Sequence, residues 1–157
     1  MPLAYEHRRR LPHYQPDDRA LLVNFRTLSS IILPPPARSL VLEHCLREHK
    51  KRIRLYAAVI MPDHVHLLFT PLRDQQTRSY HVSVVMQTIK GVSSHSVNKL
   101  LGRTGPVWQE EYFDHVVRSY ESLRQKIEYI RQNPVRRGLA RVPEEYPWLW
   151  AEYEVVL

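Results

Sequence analysis

Two apolar and β-branched runs, Arg54–Ile60 and His64–Thr70, are separated only by Met61, Pro62 and Asp63. A connection that short cannot hold a crossover, so the two runs must pair as an antiparallel hairpin. The hairpin sets the middle of a sheet and limits what the flanking segments can do. Upstream, Ala20–Thr27 (ALLVNFRT) reads as a strand. After the stiff punctuation of Pro34, Pro35 and Pro36, Ala37–Lys51 reads as a helix with apolar positions Leu40, Leu42 and Leu46 and a basic C-terminal end. Downstream, Val82–Leu101 reads as a second helix, with Val85, Ile89, Val92 and Leu100 on one face and Gln87, Lys90, Ser94 and Asn98 opposite, stopped by Gly102–Pro106. Val107–Val117 is aromatic and β-branched and reads as a bent strand, and Ser119 caps a last helix near Tyr120–Asn133.

The resulting order, βαββαβα, is of the α+β class. It fits a ferredoxin-like βαββαβ antiparallel sheet with both crossover helices on one face, plus an additional C-terminal helix free to lie elsewhere. The second sheet face is then expected to be open. With 157 residues the chain suits one compact domain spanning 1–157. Its 23 Lys and Arg against 16 Asp and Glu leave +7, which favours a polyanionic partner, nucleic acid or an anionic membrane. No apolar run approaches the roughly 18 residues that span a bilayer, and no signal-peptide core follows the N-terminal charges. The expectation is therefore a soluble, cytoplasmic protein with no membrane partner. Cys45 is the only cysteine, which excludes an internal disulfide and a thiolate metal cage and leaves a histidine-based site open.

Strand alternation puts His64, His66 and Leu68 on one face of their strand and Val65, Leu67 and Phe69 on the other. The apolar trio should face the helices, leaving the imidazoles on the open face, about 7 Å apart along the strand, where they could converge on one ion. Asp63 should point the other way. A His-x-His triplet by itself fits equally well with partly exposed histidines bonded to neighbours or water. On the last helix Leu123, Ile127 and Ile130 make the apolar stripe, and Tyr129 projects roughly 130° from its centre at about 100° per residue. Asn133 sits one turn above Tyr129 on the same side. A solvated surface tyrosine, and an asparagine that merely ends a helix before Pro134, would look the same.

The segments VIMPDHVHLLF (Val59–Phe69), QTIKG (Gln87–Gly91), VWQEEYFDHVVR (Val107–Arg118) and YIRQNPVRRGL (Tyr129–Leu139) occur together and in order. In these the chain resembles the single-tyrosine HUH transposases, and most closely their REP-associated tyrosine transposase branch. The resemblance covers most of the chain. It implies a metal held by His64 and His66, with Asn133 completing the set where relatives more often carry Gln, and Tyr129 as the catalytic nucleophile. It also implies metal-dependent cutting and strand transfer of single-stranded DNA through a 5′-phosphotyrosine, at REP-like hairpin DNA. Two imidazoles and an amide carry no negative charge, so the ion should be Mg²⁺ or Mn²⁺ bound weakly until phosphate adds its oxygens. Lys90, Arg118, Arg131, Arg136 and Arg137 are the candidate DNA contacts. Trp108 and Tyr112 could stack on unpaired bases or belong to the core, and His49–Arg54 (HKKRIR) could touch a DNA backbone or end a helix. A homodimer in which the tyrosine helix serves a partner's site is as open as a monomer. Two competing readings are a non-catalytic nucleic-acid-binding domain of the same fold, though no RNP-type motif is found, and a two-histidine phosphoesterase, for which only His81-Val82-Ser83 fits the needed His-x-Ser.

Overall fold

Turn chemistry makes the hairpin, and the sheet grows outward from it. The computed structural model of the chain describes residues 6–8, as backbone, and 19–152. In chain order the elements are β1 (Glu6–Arg8), β2 (Ala20–Arg26), α1 (Pro35–Glu48), β3 (Ile53–Ile60), β4 (His64–Pro71), α2 (Val82–Leu101), β5 (Phe113–Val117), α3 (Tyr120–Arg136), a 3-10 turn (Pro143–Glu145) and β6 (Leu149–Ala151). The hairpin is β3–β4, with Ile60 opposite Val65 and Ile53 opposite Pro71. The described strands form one sheet of order β1-β5-β2-β4-β3-β6, every neighbouring pair antiparallel. Its inner four strands follow the ferredoxin-like order expected from the sequence. β1 and β6, three residues each, extend it at the two edges.

One face of the sheet carries α1 and α2. Val23, Phe25, Val65, Leu67 and Phe69 interdigitate there with Ala37, Val41 and Cys45 of α1 and with Val85, Met86 and Ile89 of α2. The fully buried stripe of α1 is thus Ala37-Val41-Cys45-Glu48, at true helical spacing, and of the expected positions Leu42 and Leu46 are partly buried against the same core. On α2, Val97 is buried where Val92 and Leu100 were expected, and those two stand 40% and 46% exposed. β5 is shorter than its sequence suggested. Residues 107–112 make only an isolated bridge, Thr27 to Trp108, yet Val107, Trp108 and Tyr112 are buried. Trp108 packs edge-on against Phe25 at 4.8 Å and donates from Nε1 to Ser93 Oγ at 2.9 Å. Both aromatics are therefore core, and neither offers a platform to an unpaired base.

The other face is not open. Leu22, Ala57, Val59 and Leu68 make it apolar, and α3 lies against it through Leu123, Ile127 and Ile130, joined by Tyr146. Leaving that surface in water would forfeit roughly 1.5–3 kcal/mol per large side chain, which is why the last helix docks here. Ser119 caps α3 by accepting from the Ser122 amide at 3.1 Å. The helix runs on through Pro134 to Arg136, three residues beyond its expected end, since a proline in the last turn removes only one helical hydrogen bond. Among the described residues no helix is long and apolar enough to cross a membrane.

Candidate active site

His66 faces Asn24 of β2 and Val59 of β3, and Asn24 faces Phe113 of β5, so one lateral row crosses four strands. His64 lies two residues before it on the same face, opposite Arg26. The two rings meet edge to face at 4.9 Å between centroids. They are buried, at 3% and 7% exposure, because α3 roofs the face on which they were expected to stand in solvent.

Each imidazole is held from behind. His64 donates from Nδ1 to the Asp63 carboxylate at 2.7 Å, and His66 donates from Nδ1 to the Asn24 side-chain oxygen. Asp63 therefore does not point away. It belongs to the turn, where strand alternation does not apply, and it also meets Arg26 at 3.3 Å. Oxygen partners on both Nδ1 atoms fix the tautomers, so each Nε2 keeps its lone pair. Burial, the largest cause, lowers the pKa of His64 against the opposing pull of Asp63. Burial, then His64, Arg137, Arg136 and Arg26, push that of His66 down to about 3. The hydrogen bond from His64 holds the Asp63 carboxyl below its usual range. The pair is thus two neutral imidazoles near neutral pH.

α3 adds the remaining parts. Asn133 is buried, with Nδ2 3.2 Å from His66 Nε2 and Oδ1 without a hydrogen-bond partner. Tyr129, one turn earlier, is rotated about 40° further from the sheet and stays 42% exposed. Its ring stands edge-on to His66 at 5.9 Å. The Arg136 guanidinium covers that ring at 4.5 Å and donates to the Tyr129 carbonyl at 3.0 Å, while Lys126 Nζ lies 5.8 Å from the ring. A cleft of ≈580 Å³ opens over the histidines, Tyr129 and Asn133.

The donor set fits a hard divalent cation. His66 Nε2 faces the Asn133 amide, whose buried oxygen has no partner, and half a turn of that amide would bring the oxygen to His66 in place of Nδ2, an exchange that a cation rewards. Among the described residues no group of three or more His, Cys, Asp or Glu is placed to hold a metal ion, so a cation at the histidine pair would need the Asn133 amide as well.

The basic candidates separate. Arg137 lines the cleft and Arg136 holds Tyr129. Arg131 is engaged by Glu128 and Glu144, each at 2.6 Å. Lys90 donates to the carbonyls of Gln109 and Glu110, tying the cleft-lining loop to α2. Arg118 follows Val117, which pairs with Ala20, so it lies about 17 Å along the sheet from the histidine row by strand rise. The HKKRIR turn is at that far end also, with Arg52 on Glu48 and Arg54 on Glu152. Asn24, Arg26 and Phe113 were not singled out from sequence. Asn24 alone had a visible signal, a lone amide inside the apolar run ALLVNF.

The family model described as Transposase IS200 like matches residues 39–133. The chain is 26% identical over 97 residues to a Haemophilus influenzae protein provisionally named a REP-associated tyrosine transposase, the match covering 59% of this chain and 55% of that protein. It is 25% identical over 129 residues to the REP-associated tyrosine transposase of Escherichia coli, covering 80% and 71%. A solved structure of a REP-associated tyrosine transposase bound to a REP hairpin superposes with a TM-score of 0.71 at 18% identity, over 88% of this chain and 80% of that one. At that identity the likeness is one of fold. The chain spans little more than half the length of the first of these relatives.

Proposed function

Because the chain belongs to the Transposase IS200 like family, we propose that it cuts and rejoins single-stranded DNA, with Tyr129 as the nucleophile, and that it belongs to the REP-associated branch. The Tyr129 hydroxyl attacks a backbone phosphorus, releasing its proton to water. The bond to the 3′ oxygen breaks, and that oxygen takes up a proton as a free hydroxyl, leaving a 5′-phosphotyrosine. Attack by a 3′ hydroxyl on that ester reverses the step and joins strands.

The residues divide this work. Asp63 and Asn24 hold the imidazoles with Nε2 turned away from their Nδ1 partners, that of His66 toward Asn133, and Arg136 covers the tyrosine ring, which lines the cleft. Arg137 adds positive charge where the phosphodiester would lie. Mg²⁺ or Mn²⁺ held by His64, His66 and Asn133 would neutralise and orient the phosphate oxygens. The observation that carries the reading is the 5.9 Å approach of the Tyr129 ring to His66 within one chain. The relatives' names and the REP hairpin bound in the solved structure support REP-type hairpins as targets, which puts the work at bacterial DNA in the cytoplasm.

Labelled single-stranded hairpin DNA incubated with the protein and Mg²⁺ should yield an EDTA-sensitive covalent adduct on a denaturing gel, absent in Tyr129→Phe. No adduct, or one retained in Tyr129→Phe, would sink the proposal.

A further inference from the structure

We propose that Lys126 holds a backbone phosphate of the single strand beside the cut, on the side of Tyr129 away from Arg137, an inference that rests on the nuclease reading for its substrate. The charges of α3 are sorted by flank. At about 100° per residue, Lys126, Arg136 and Arg137 share the Tyr129 side of the apolar stripe, and no acidic residue stands among them. Glu121 and Glu128 fall on the other side, where Arg131 is taken by Glu128 and Glu144. Arg136 is committed to the ring and carbonyl of Tyr129. That leaves Lys126 and Arg137 as the cations of this flank that can meet a phosphate. Tyr129 lies between them, about 4.5 Å along the axis from Lys126 and about 12 Å from Arg137 by helical rise.

Among the described residues nothing takes up the Lys126 charge. The residues one turn away on the helix are Ser122 and Ile130, and no described carboxylate pairs with the ammonium. The contact it does make is with the Tyr129 ring, Nζ standing 5.8 Å from the centroid. That is the outer limit of a cation–π attraction, and the three N–H donors are left for another acceptor. Beside Lys126 lies a ≈180 Å³ hollow whose lining shares Asn24 with the ≈580 Å³ cleft of the histidines, so the two spaces meet at the row that carries His66. Glu110, Glu111 and Asp114 also line these spaces, but they belong to β5 and the segment leading into it. A polyanion that enters therefore finds its cations on α3, next to the nucleophile. An ammonium on a flexible stem suits a phosphate and reads no base. Lys126 thus sets where the strand lies and not which sequence is cut.

The test is binding of a hairpin with single-stranded flanks over a range of salt, compared with the same hairpin lacking them. Lys126→Met keeps the aliphatic stem and loses the charge. It should weaken the flanked DNA several-fold at about 0.1 M salt, make the slope of log K against log salt shallower by about 0.7, and leave the unflanked hairpin unchanged. Lys126→Arg should bind like wild type. So should Arg124→Met, the same charge change on the other flank of α3. Replacing flank phosphates one at a time by neutral methylphosphonates should find one linkage whose loss matches that of Lys126→Met and adds nothing in that variant. This linkage should lie on the opposite side of the cut from the one that Arg137→Gln matches. A wild-type salt slope in Lys126→Met, an equal loss in Arg124→Met or on the unflanked hairpin, additive losses at every linkage, or a matched linkage on the Arg137 side of the cut would each overturn it. If wild type forms the Tyr129 adduct and Lys126→Met binds normally, the phosphate grip alone fails. If no adduct forms but the loss matched to one linkage is present, the nuclease reading fails and the grip stands.

Discussion

The two faces of β4 are equally buried and do opposite things. Val65, Leu67 and Phe69 are 0% exposed under two helices, and His64, His66 and Leu68 are 3%, 7% and 0% exposed under one. On the first face apolar side chains fill the space between sheet and helices. On the second, the apolar stripe of α3 ends at Ile130, and Asn133 comes down on the histidines with its oxygen unsatisfied. Burial alone does not separate core from site. The separating observation is that three polar side chains are buried together, the two imidazoles bonded outward through Nδ1 and Asn133 facing His66 with an unpartnered oxygen, an arrangement that costs stability.

That contrast breaks first at its largest expected effect. Phe69→Ala should cost about 3–5 kcal/mol in denaturant unfolding, because its neighbours cannot collapse into the cavity. Asn133→Leu keeps the branching at Cγ but is larger, so it should cost at most about 1–3 kcal/mol through overpacking while abolishing metal binding, since it removes a buried amide whose oxygen has no partner. Equal destabilisation by both would mean that the α3 face is ordinary core.

The core face was legible in the sequence because its rule is local. Alternation in His64–Thr70 and helical spacing on α3 put Val65, Leu67 and Phe69, and Leu123, Ile127 and Ile130, where they lie. The site was half legible. His64, His66, Tyr129 and Asn133 come together, but which of Tyr129 and Asn133 is buried depends on how α3 rolls on a sheet face thought to be open. Asn24 meets His66 through a pairing across 42 residues, which no local pattern encodes. Val107, Trp108 and Tyr112 give their segment a strand-like composition because they are buried, and they are buried without being in a strand. β1 and β6 are too short to show a period at all.

Acid should act on only one of the two faces. A buried His66 with its pKa lowered from 6.5 to about 3 stays neutral in the fold, whereas the unfolded chain protonates it below about 6.5. The stability it permits is therefore fully present above that pH and is lost progressively as pH falls toward 3. With EDTA present, unfolding free energy should drop by a few kcal/mol between pH 7.5 and 4. His66→Gln should flatten much of that slope. An unchanged slope would place the titration elsewhere.

A smaller effect tests how the imidazoles are held. Asn24→Ala frees the His66 Nδ1 hydrogen bond and should weaken Mn²⁺ binding roughly 10- to 100-fold, with Asp63→Asn nearer the lower end because its amide oxygen can still accept. Calorimetry reads the affinity. Imidazole ¹⁵N spectra of the metal-free protein should show His66 moving from a single Nδ1–H tautomer to a mixture in Asn24→Ala, and an unmixed spectrum would remove the orienting role.

The smallest effect distinguishes the two ends of the sheet, which sequence alone treated alike as basic. Arg137 lines the histidine cleft, and Arg118 lies at the opposite end of β5. If the strand follows the cleft, Arg137→Gln removes one phosphate contact. The affinity for single-stranded DNA should then fall several-fold at about 0.1 M salt, and the slope of log K against log salt should become shallower by about 0.7. Arg118→Gln carries the same charge change far from the row of His66, Asn24 and Phe113, so its salt slope should match wild type. Equal slopes for both variants would mean that DNA is gathered by net charge over the whole surface and not led along one path to Tyr129.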